Sequence, residues 1–311
     1  MSRYLAGRLV VMIPTIVVLS LALFVLMRLT PGSPLQPIAP NANPLSPEAQ
    51  EALAKEWGLD KPIVEQYAVY IWKAVQLDFG MSYLYKTRTV TEILGPTLPV
   101  SLHLGMMALT IAIVFGVGLG VAAATNRNGL FDYICTVIAM IGVSVPNFVM
   151  AVVFIIVFVL GLKVIPYTGG WESPIDWIMP TLVLSLGPLA IIARYTRSSM
   201  IEAIGSDYVR TARAKGNSER RVMLYHVLKN ALIPPLTIMG PLVAAVATGS
   251  PFVEIIFRVP GMGRYFIESV LARDYPVIMA VFLFYGVFLQ AMNLVVDILY
   301  GVVDPRIRFD G

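Results

Sequence analysis

Apolar residues along this chain gather into long uncharged runs separated by shorter charged segments. About 20 apolar residues cross the hydrocarbon core of a bilayer. Leu9–Met27 is such a run, with 19 uncharged residues. It exceeds the core of a cleavable signal, about 7–15 residues, and no small-x-small cleavage site follows it. It is expected to persist as a first spanning helix. Later runs predict helices over about Pro99–Ala124, between Asp132 and Lys163, over Trp177–Ala193, over Asn230–Val253 and over Pro276–Val296. The fourth is the shortest, 17 residues with Pro180 and Pro188 inside it. The pattern predicts an all-α, polytopic membrane protein with six transmembrane helices.

Lysine and arginine near helix ends mark the cytoplasmic side. Arg3 and Arg8 precede the first span and Arg127 follows the second. After the fourth come Arg194, Arg197, Arg210, Arg213, Lys215, Arg220, Arg221 and Lys229, against Glu202, Asp207 and Glu219. Arg306 and Arg308 lie in the tail. All fall on one side of a six-span chain, which places both termini in the cytoplasm. The opposite side holds loop 31–98, a Gly169-Gly170-Trp171 turn and the mixed loop 254–275. In that last loop Glu254, Arg258, Arg264 and Arg273 stand either to meet an external protein or to form salt bridges within the loop.

Loop 31–98 is long enough to carry structure. Ser46-Pro47-Glu48 has the N-cap, first-turn proline and acid of a helix start, and that helix is expected to end near Gly58. A second is expected over about Pro62–Val75, the two forming a small extracytoplasmic cap without a core of its own. Prolines within spans (Pro146, Pro180, Pro188, Pro241) are tolerated where neighbouring helices satisfy the backbone. Gly116, Gly118 and Gly120 suit close helix packing.

Composition supports the membrane reading. Hydrophobic residues make up 57% and charged ones 14%, the latter against about 25% in soluble domains, and mean hydropathy is +0.76. The net charge of +4 needs no nucleic acid, because the basic loops account for it. The single Cys135 sits in an apolar run as core filler. His103 and His226 are far apart and belong to no metal-spaced cluster. No metalloprotease, nucleophile-elbow or Walker A pattern occurs, so no enzyme activity is expected and any ATP must be split by another subunit.

The informative segment is Ser206-Asp207-Tyr208-Val209-Arg210-Thr211-Ala212-Arg213-Ala214-Lys215-Gly216. Ser206 or Asp207 caps a helix that basic residues close before Gly216. A second helix from about Ser218 places Val222, Tyr225, Leu228 and Leu232 three or four apart, as one apolar face. These residues alone fit either a topology-setting loop or a docking surface for a cytoplasmic partner.

The segment resembles the signature loop of binding-protein-dependent ABC importer permeases, E-A-A-x3-G-x9-I-x-L-P. Arg210-Thr211-Ala212 stand at the E-A-A positions, Gly216 at the glycine, and His226-Val227-Leu228-Lys229 at I-x-L-P. Only Ala212, Gly216 and Leu228 match that consensus. The departures resemble the oligopeptide/dipeptide branch, with R-T-A-R-A-K-G followed by H-x-L-[RK]-x-A-L-x-P. Arg28-Leu29-Thr30-Pro31-Gly32-Ser33-Pro34, Asp78-Phe79-Gly80-Met81-Ser82, Pro260-Gly261-Met262-Gly263, Arg273-Asp274-Tyr275-Pro276, Asp297-Ile298-Leu299-Tyr300 and Asp304-Pro305-Arg306 agree with that branch over nearly the whole chain.

The resemblance implies a type I ABC importer (MetI-like) permease fold. It implies an N-terminal transmembrane helix over 1–30, an extracytoplasmic helical loop over 31–95, a five-helix core over 96–304 and a tail over 305–311. Implied partners are a second, homologous permease in a heterodimer, two ATPase subunits that carry ATP and magnesium, and an extracytoplasmic binding protein. No cofactor is expected in this chain, and a bacterial or archaeal inner membrane is the expected location. Asp207, Arg210, Thr211, Ala212, Arg213, Lys215, Gly216, Arg220 and His226 would form the coupling surface, with Ala212 and Gly216 allowing close backbone approach. Asn147, Gln290 and Asn293 are the candidates to line a path for peptides, and Asp297 to anchor a helix end. Related permeases carry nickel chelates, glutathione or oligosaccharides, and no residue decides among cargoes. An ion-coupled secondary transporter would show ionisable residues at mid-membrane depth or an internal repeat, and neither is evident.

Overall fold

The long uncharged runs fold as helices. The computed structural model describes residues 2–35, 46–166 and 169–303, with side chains from 7 to 299. Arg306, Arg308, the Asp304-Pro305-Arg306 motif and the side chains of Arg3 and Tyr300 lie outside the described residues. In chain order the helices are α1 (Ser2–Leu29), α2 (Pro47–Glu56), α3 (Ile63–Val75), α4 (Val90–Thr125), α5 (Leu130–Ser144) and α6 (Asn147–Phe154). There follow a π-helical stretch over Ile155–Gly161, then α7 (Pro174–Ile204), α8 (Asp207–Ala214) and α9 (Glu219–Arg221). A second π-helical stretch over Val222–Leu228 leads to α10 (Lys229–Ala231), α11 (Ile233–Ala247), α12 (Pro251–Ile256), α13 (Met262–Ala272) and α14 (Tyr275–Val303). Among the described residues there is no strand, only an isolated bridge between Met81 and Thr89.

Five segments are long and apolar enough to cross a membrane: Gly7–Leu29, Val90–Thr125, Pro174–Ile204, Ile233–Ile256 and Tyr275–Leu299. The predicted third span is instead two helices, α5 and α6 with its π extension, bent by 112°. Pro146 causes the break. Val145 before it is extended, at φ −91° and ψ 123°, because a following proline disfavours the helical region. Pro180, Pro188 and Pro241 are absorbed inside α7 and α11. The count is six if the bent pair is one span.

The predicted boundaries were conservative where polar residues continue a helix. α4 begins at a full capping box, Thr89 with Glu92, so the expected division at 95/96 falls inside one helix. α7 runs on past Ala193 to Ile204, carrying the bundle beyond its apolar run.

The broadest helix contact joins α4 and α7. Gly116 and Gly120 allow it: a Cβ at either would lie 2.9 Å from the Leu189 carbonyl oxygen or 2.6 Å from Thr196 Cβ. Four-residue spacing of small residues brings backbones together in this way. Gly118 faces open space. α11 packs on both α14 and α4, and α1 stands against α14, where Phe24 and Met27 bury against Ile278 and Met279. At the other end of α1, Arg8 pairs with Asp297 at 3.0 Å, so Asp297 does anchor a helix end.

Candidate functional site

The loop after α7 has a core of its own. Met200, Ala203, Val209, Ala212, Val222, Val227 and Ala231 bury together with Ala124 from the end of α4. The 205–232 segment is therefore fixed to the ends of the two most tightly packed helices. Gly216 turns the chain at φ +77°, a left-handed conformation that costs other residues free energy. Arg213 then reaches across the turn to Glu219 through two hydrogen bonds, 3.1 and 2.6 Å, and the Asn217 amide donates to the Ala212 carbonyl at 3.0 Å. Arg213 and Glu219 hold each other charged: the pairing raises the Arg213 pKa and lowers that of Glu219.

The proposed coupling residues divide between two faces. Asp207, Arg210, Thr211, Lys215, Gly216 and Arg220 are exposed, and His226 is half-buried. Asp207 and Arg210 form only a surface pair at 3.3 Å. Ala212 departs from expectation. It is 5% exposed and turned into the loop's own cluster, so its small size serves packing of α8 onto the bundle rather than approach by a partner. Arg213 is likewise engaged inside the loop, as the brace across the Gly216 turn. Ser206 occupies the N-cap position, but its hydroxyl donates to the Ala203 carbonyl at 2.6 Å rather than capping α8.

The predicted apolar face 222–225–228–232 is also revised. The chain runs as a π-helix over Val222–Leu228, whose wider turn changes the residue spacing. Val222 and Val227, five apart, are both fully buried, while Tyr225 is 70% exposed. Tyr225, Leu224 and Tyr208 thus present apolar area outward beside basic residues. Lys215, Arg220, Arg221 and Lys229 are exposed as well.

Asn147, Gln290 and Asn293 are all half-buried, on separate helix contacts. Asn147 opens α6 near Gly187 of α7, whereas Asn293 lies against Gly240 of α11. A mostly apolar cavity of ≈ 220 Å³ does adjoin α14, lined by residues including Thr248, Phe266, Phe282 and Tyr285. The predicted polar pair is further along that helix.

Three arrangements escaped the sequence reading. Glu254 was expected to meet an external protein or form a salt bridge within its loop, yet it is fully buried. Its carboxylate accepts from the Ser101 hydroxyl at 2.8 Å and the Gly263 amide at 2.7 Å, and Ser101 in turn accepts from the Met262 amide at 2.9 Å. Gly249, Gly261 and Gly263 surround it with no room for a Cβ. The glycines flanking this lone acid at an apolar run's end were the available signal. Of its companions, Arg264 pairs with Glu268 at 2.8 Å, Arg273 donates to the Pro31 carbonyl at 3.0 Å, and Arg258 is exposed.

Second, Arg197, read as a topology marker, binds buried Asp132 through two bonds of 2.5 and 2.7 Å, tying α7 to α5. Third, His103 stands edge-on to Trp171 and Trp177, with ring centroids 5.5 and 4.9 Å away. That is a packing role, and among the described residues no group of three or more His, Cys, Asp or Glu is placed to hold a metal.

A bundle of membrane-length helices with a packed helical loop at one end, exposing basic and apolar residues, defines a polytopic membrane protein. Residues 116–309 match the family described as binding-protein-dependent transport system inner membrane component. The chain is 44% identical over 308 residues to the dipeptide transport system permease protein DppB of Bacillus subtilis, covering 99% of this chain and 98% of that one. It is 39% identical over 311 residues to the oligopeptide transport system permease protein OppB of Escherichia coli, covering 99% and 100%. Among solved structures it resembles an inward-facing MetNI methionine ABC transporter chain, with TM-score 0.55 and 16% identity over 68% of this chain and 96% of that one. The chain belongs to the family of binding-protein-dependent transport system inner membrane components. It is a transport permease of the inner membrane, not a catalytic subunit, and its family works with partner ATPases and a substrate-binding protein.

Proposed function

We propose that this chain forms one half of a peptide-conducting channel, paired with a second, homologous permease and driven by two ATPase subunits. The observation that carries the peptide cargo is similarity along nearly the whole chain to relatives named for dipeptide and oligopeptide transport. ATP and magnesium belong to the ATPase subunits in this reading, and the chain needs no cofactor of its own. An extracytoplasmic binding protein delivers the peptide.

Both termini and the 205–232 loop face the cytoplasm, an orientation supported by the basic residues near those helix ends. Tyr208, Arg210, Thr211, Lys215, Arg220, Tyr225 and His226 meet the ATPase, with apolar area for burial and cations for its acidic groups or helix C-termini. Gly216, Ala212 and Arg213 hold that surface in shape. Because the loop is packed on the ends of α4 and α7, displacement of α8 is passed to the bundle as a rigid-body movement. Asn147, Gln290 and Asn293 offer hydrogen bonds to a peptide backbone along the path. The N-terminal span over 1–30, an outer region that ends at the Thr89 cap of α4 and a core from Val90 to 304 are the working divisions, with a tail over 305–311.

The test is uptake by the complete importer in proteoliposomes, with its cognate binding protein and ATP. A labelled dipeptide or oligopeptide should accumulate only with ATP. Uptake of a nickel chelate, glutathione or an oligosaccharide with no peptide uptake would retain the machinery and refute the cargo. Uptake that follows an ion gradient without ATP would refute the machinery itself.

A further inference from the structure

The outer region between α1 and α4 was expected to form a small extracytoplasmic cap, and one of its helices, α3, carries an exposed apolar face. No residue of α3 is buried, although apolar residues recur along it: Val64, Ala68, Trp72 and Val75 succeed one another at intervals of four, four and three. That spacing puts them on one helix face. Val64 is 80%, Trp72 70% and Val75 75% exposed. Among the described residues nothing covers that face.

We propose that α3 lies in the bilayer boundary at the Leu29 end of α1, with the Val64–Ala68–Trp72–Val75 face against lipid acyl chains. The depth of its contacts with α1 argues this. The Tyr67 hydroxyl donates to the Val17 carbonyl at 3.1 Å and lies 2.8 Å from the Ser20 hydroxyl. The uncharged run of α1 ends at Met27, so Val17 is about 15 Å inside it at 1.5 Å per residue. A tyrosine cannot span that depth from a helix held wholly in water, so α3 itself is drawn below the end of the run. Interfacial helices sit about 5–10 Å into the headgroup and acyl boundary.

The rotation of α3 is consistent with that placement. Gln66 accepts from Arg28, near the outer end of α1, while Tyr67 makes the deeper contact. On the helix, Tyr67 stands closer to the apolar face than Gln66 does, so the apolar face is on the deep side. Lys73 is exposed on the side away from the centre of the apolar face, whereas exposed Glu65 borders that face beside Trp72. Lys61 pairs with Glu65 at 2.9 Å, leaving charged groups for the headgroup level, and Trp72 is a residue type enriched there. The apolar face is also continuous in character with α1 itself, whose Val25, Leu26 and Leu29 are 42%, 61% and 73% exposed. A protein partner would need to cover both helices, whereas the bilayer that surrounds α1 covers both at once.

The experiment uses the complete importer in vesicles of phosphatidylethanolamine and phosphatidylglycerol. Single spin labels are placed by Val64→Cys, Trp72→Cys, Val75→Cys and Lys73→Cys in a Cys135→Ala background. Collision with oxygen, which concentrates in lipid, is compared with collision with a water-soluble nickel complex. The oxygen-to-nickel ratio at 64, 72 and 75 should exceed that at 73 severalfold and stay so when the binding protein is added. Equal ratios at all four sites would put α3 in water. Low collision with both reagents at 64, 72 and 75 would put a protein partner on this face. Either result overturns the proposal. If labels disturb assembly, brominated lipid should quench tryptophan emission, and Trp72→Phe should remove part of that quenching; undiminished quenching in Trp72→Phe would also overturn it.

Discussion

Gly216 shows how one residue shapes the loop. Its surroundings are open, so a side chain there meets no atom, but its φ of +77° penalises all but glycine and, less severely, asparagine. Gly216→Asn should therefore retain most ATP-coupled uptake. Gly216→Val, β-branched and strained by about 1–2 kcal/mol, should lose coupling while the protein remains inserted. Equal activity of the two variants would show that the turn's conformation does not matter. Asp132 gives a contrasting case, because its function is structural. It is buried and doubly bonded to Arg197, and loss of one member of such a pair leaves the other uncompensated. Arg197 is about one-third exposed on its side chain, which moderates the cost to about 2 kcal/mol. Asp132→Ala should lower the melting temperature in detergent far more than Tyr225→Ala, whose ring is mostly exposed.

At the level of elements, the α8–α9 turn and the α12–α13 corner are held by polar contacts of opposite kinds. The first is exposed. Arg213 holds the Glu219 carboxyl below the ordinary glutamate range, so this pair stabilises the turn fully above that range and ceases to do so as pH falls through the lowered value. Amide protection across residues 214–221 should decline on acidification, and Glu219→Gln should abolish that decline. Protection that is independent of pH in both proteins would remove the brace from the account. The second corner is buried. Glu254→Ala would leave the Ser101 hydroxyl and the Gly263 amide short of an acceptor, at about 1–3 kcal/mol for a buried unsatisfied group. Limited proteolysis between residues 249 and 263 should accelerate in that variant, and unchanged cleavage would contradict the anchoring role.

The whole molecule explains which features could be read from residue order. Span length and charge are properties of a single helix in a bilayer, so Leu9–Met27 and Pro276–Val296 predicted α1 and α14 directly. The 112° bend at Pro146 was not legible, since a proline inside an apolar run is as compatible with a continuous helix, as Pro180 and Pro188 demonstrate in α7. The helical loop after α7 was legible as a glycine and charge. Its inner and outer faces were not, because a 3.6-residue period was applied to a stretch that runs as a π-helix. Ser101 lies 153 residues from Glu254 and Arg197 lies 65 from Asp132, so these two pairings left no local pattern.

The central claim is that α8 presents its outer face to a partner ATPase while its inner face rides on the ends of α4 and α7. Site-directed crosslinking in the assembled importer tests it most directly. Cysteines at Tyr208, Thr211 and Lys215 should crosslink to cysteines in the ATPase surface, with yields that change on ATP binding, whereas a cysteine at buried Ala212 should not. Failure at all three exposed positions, or efficient crosslinking only from Ala212, would contradict the account.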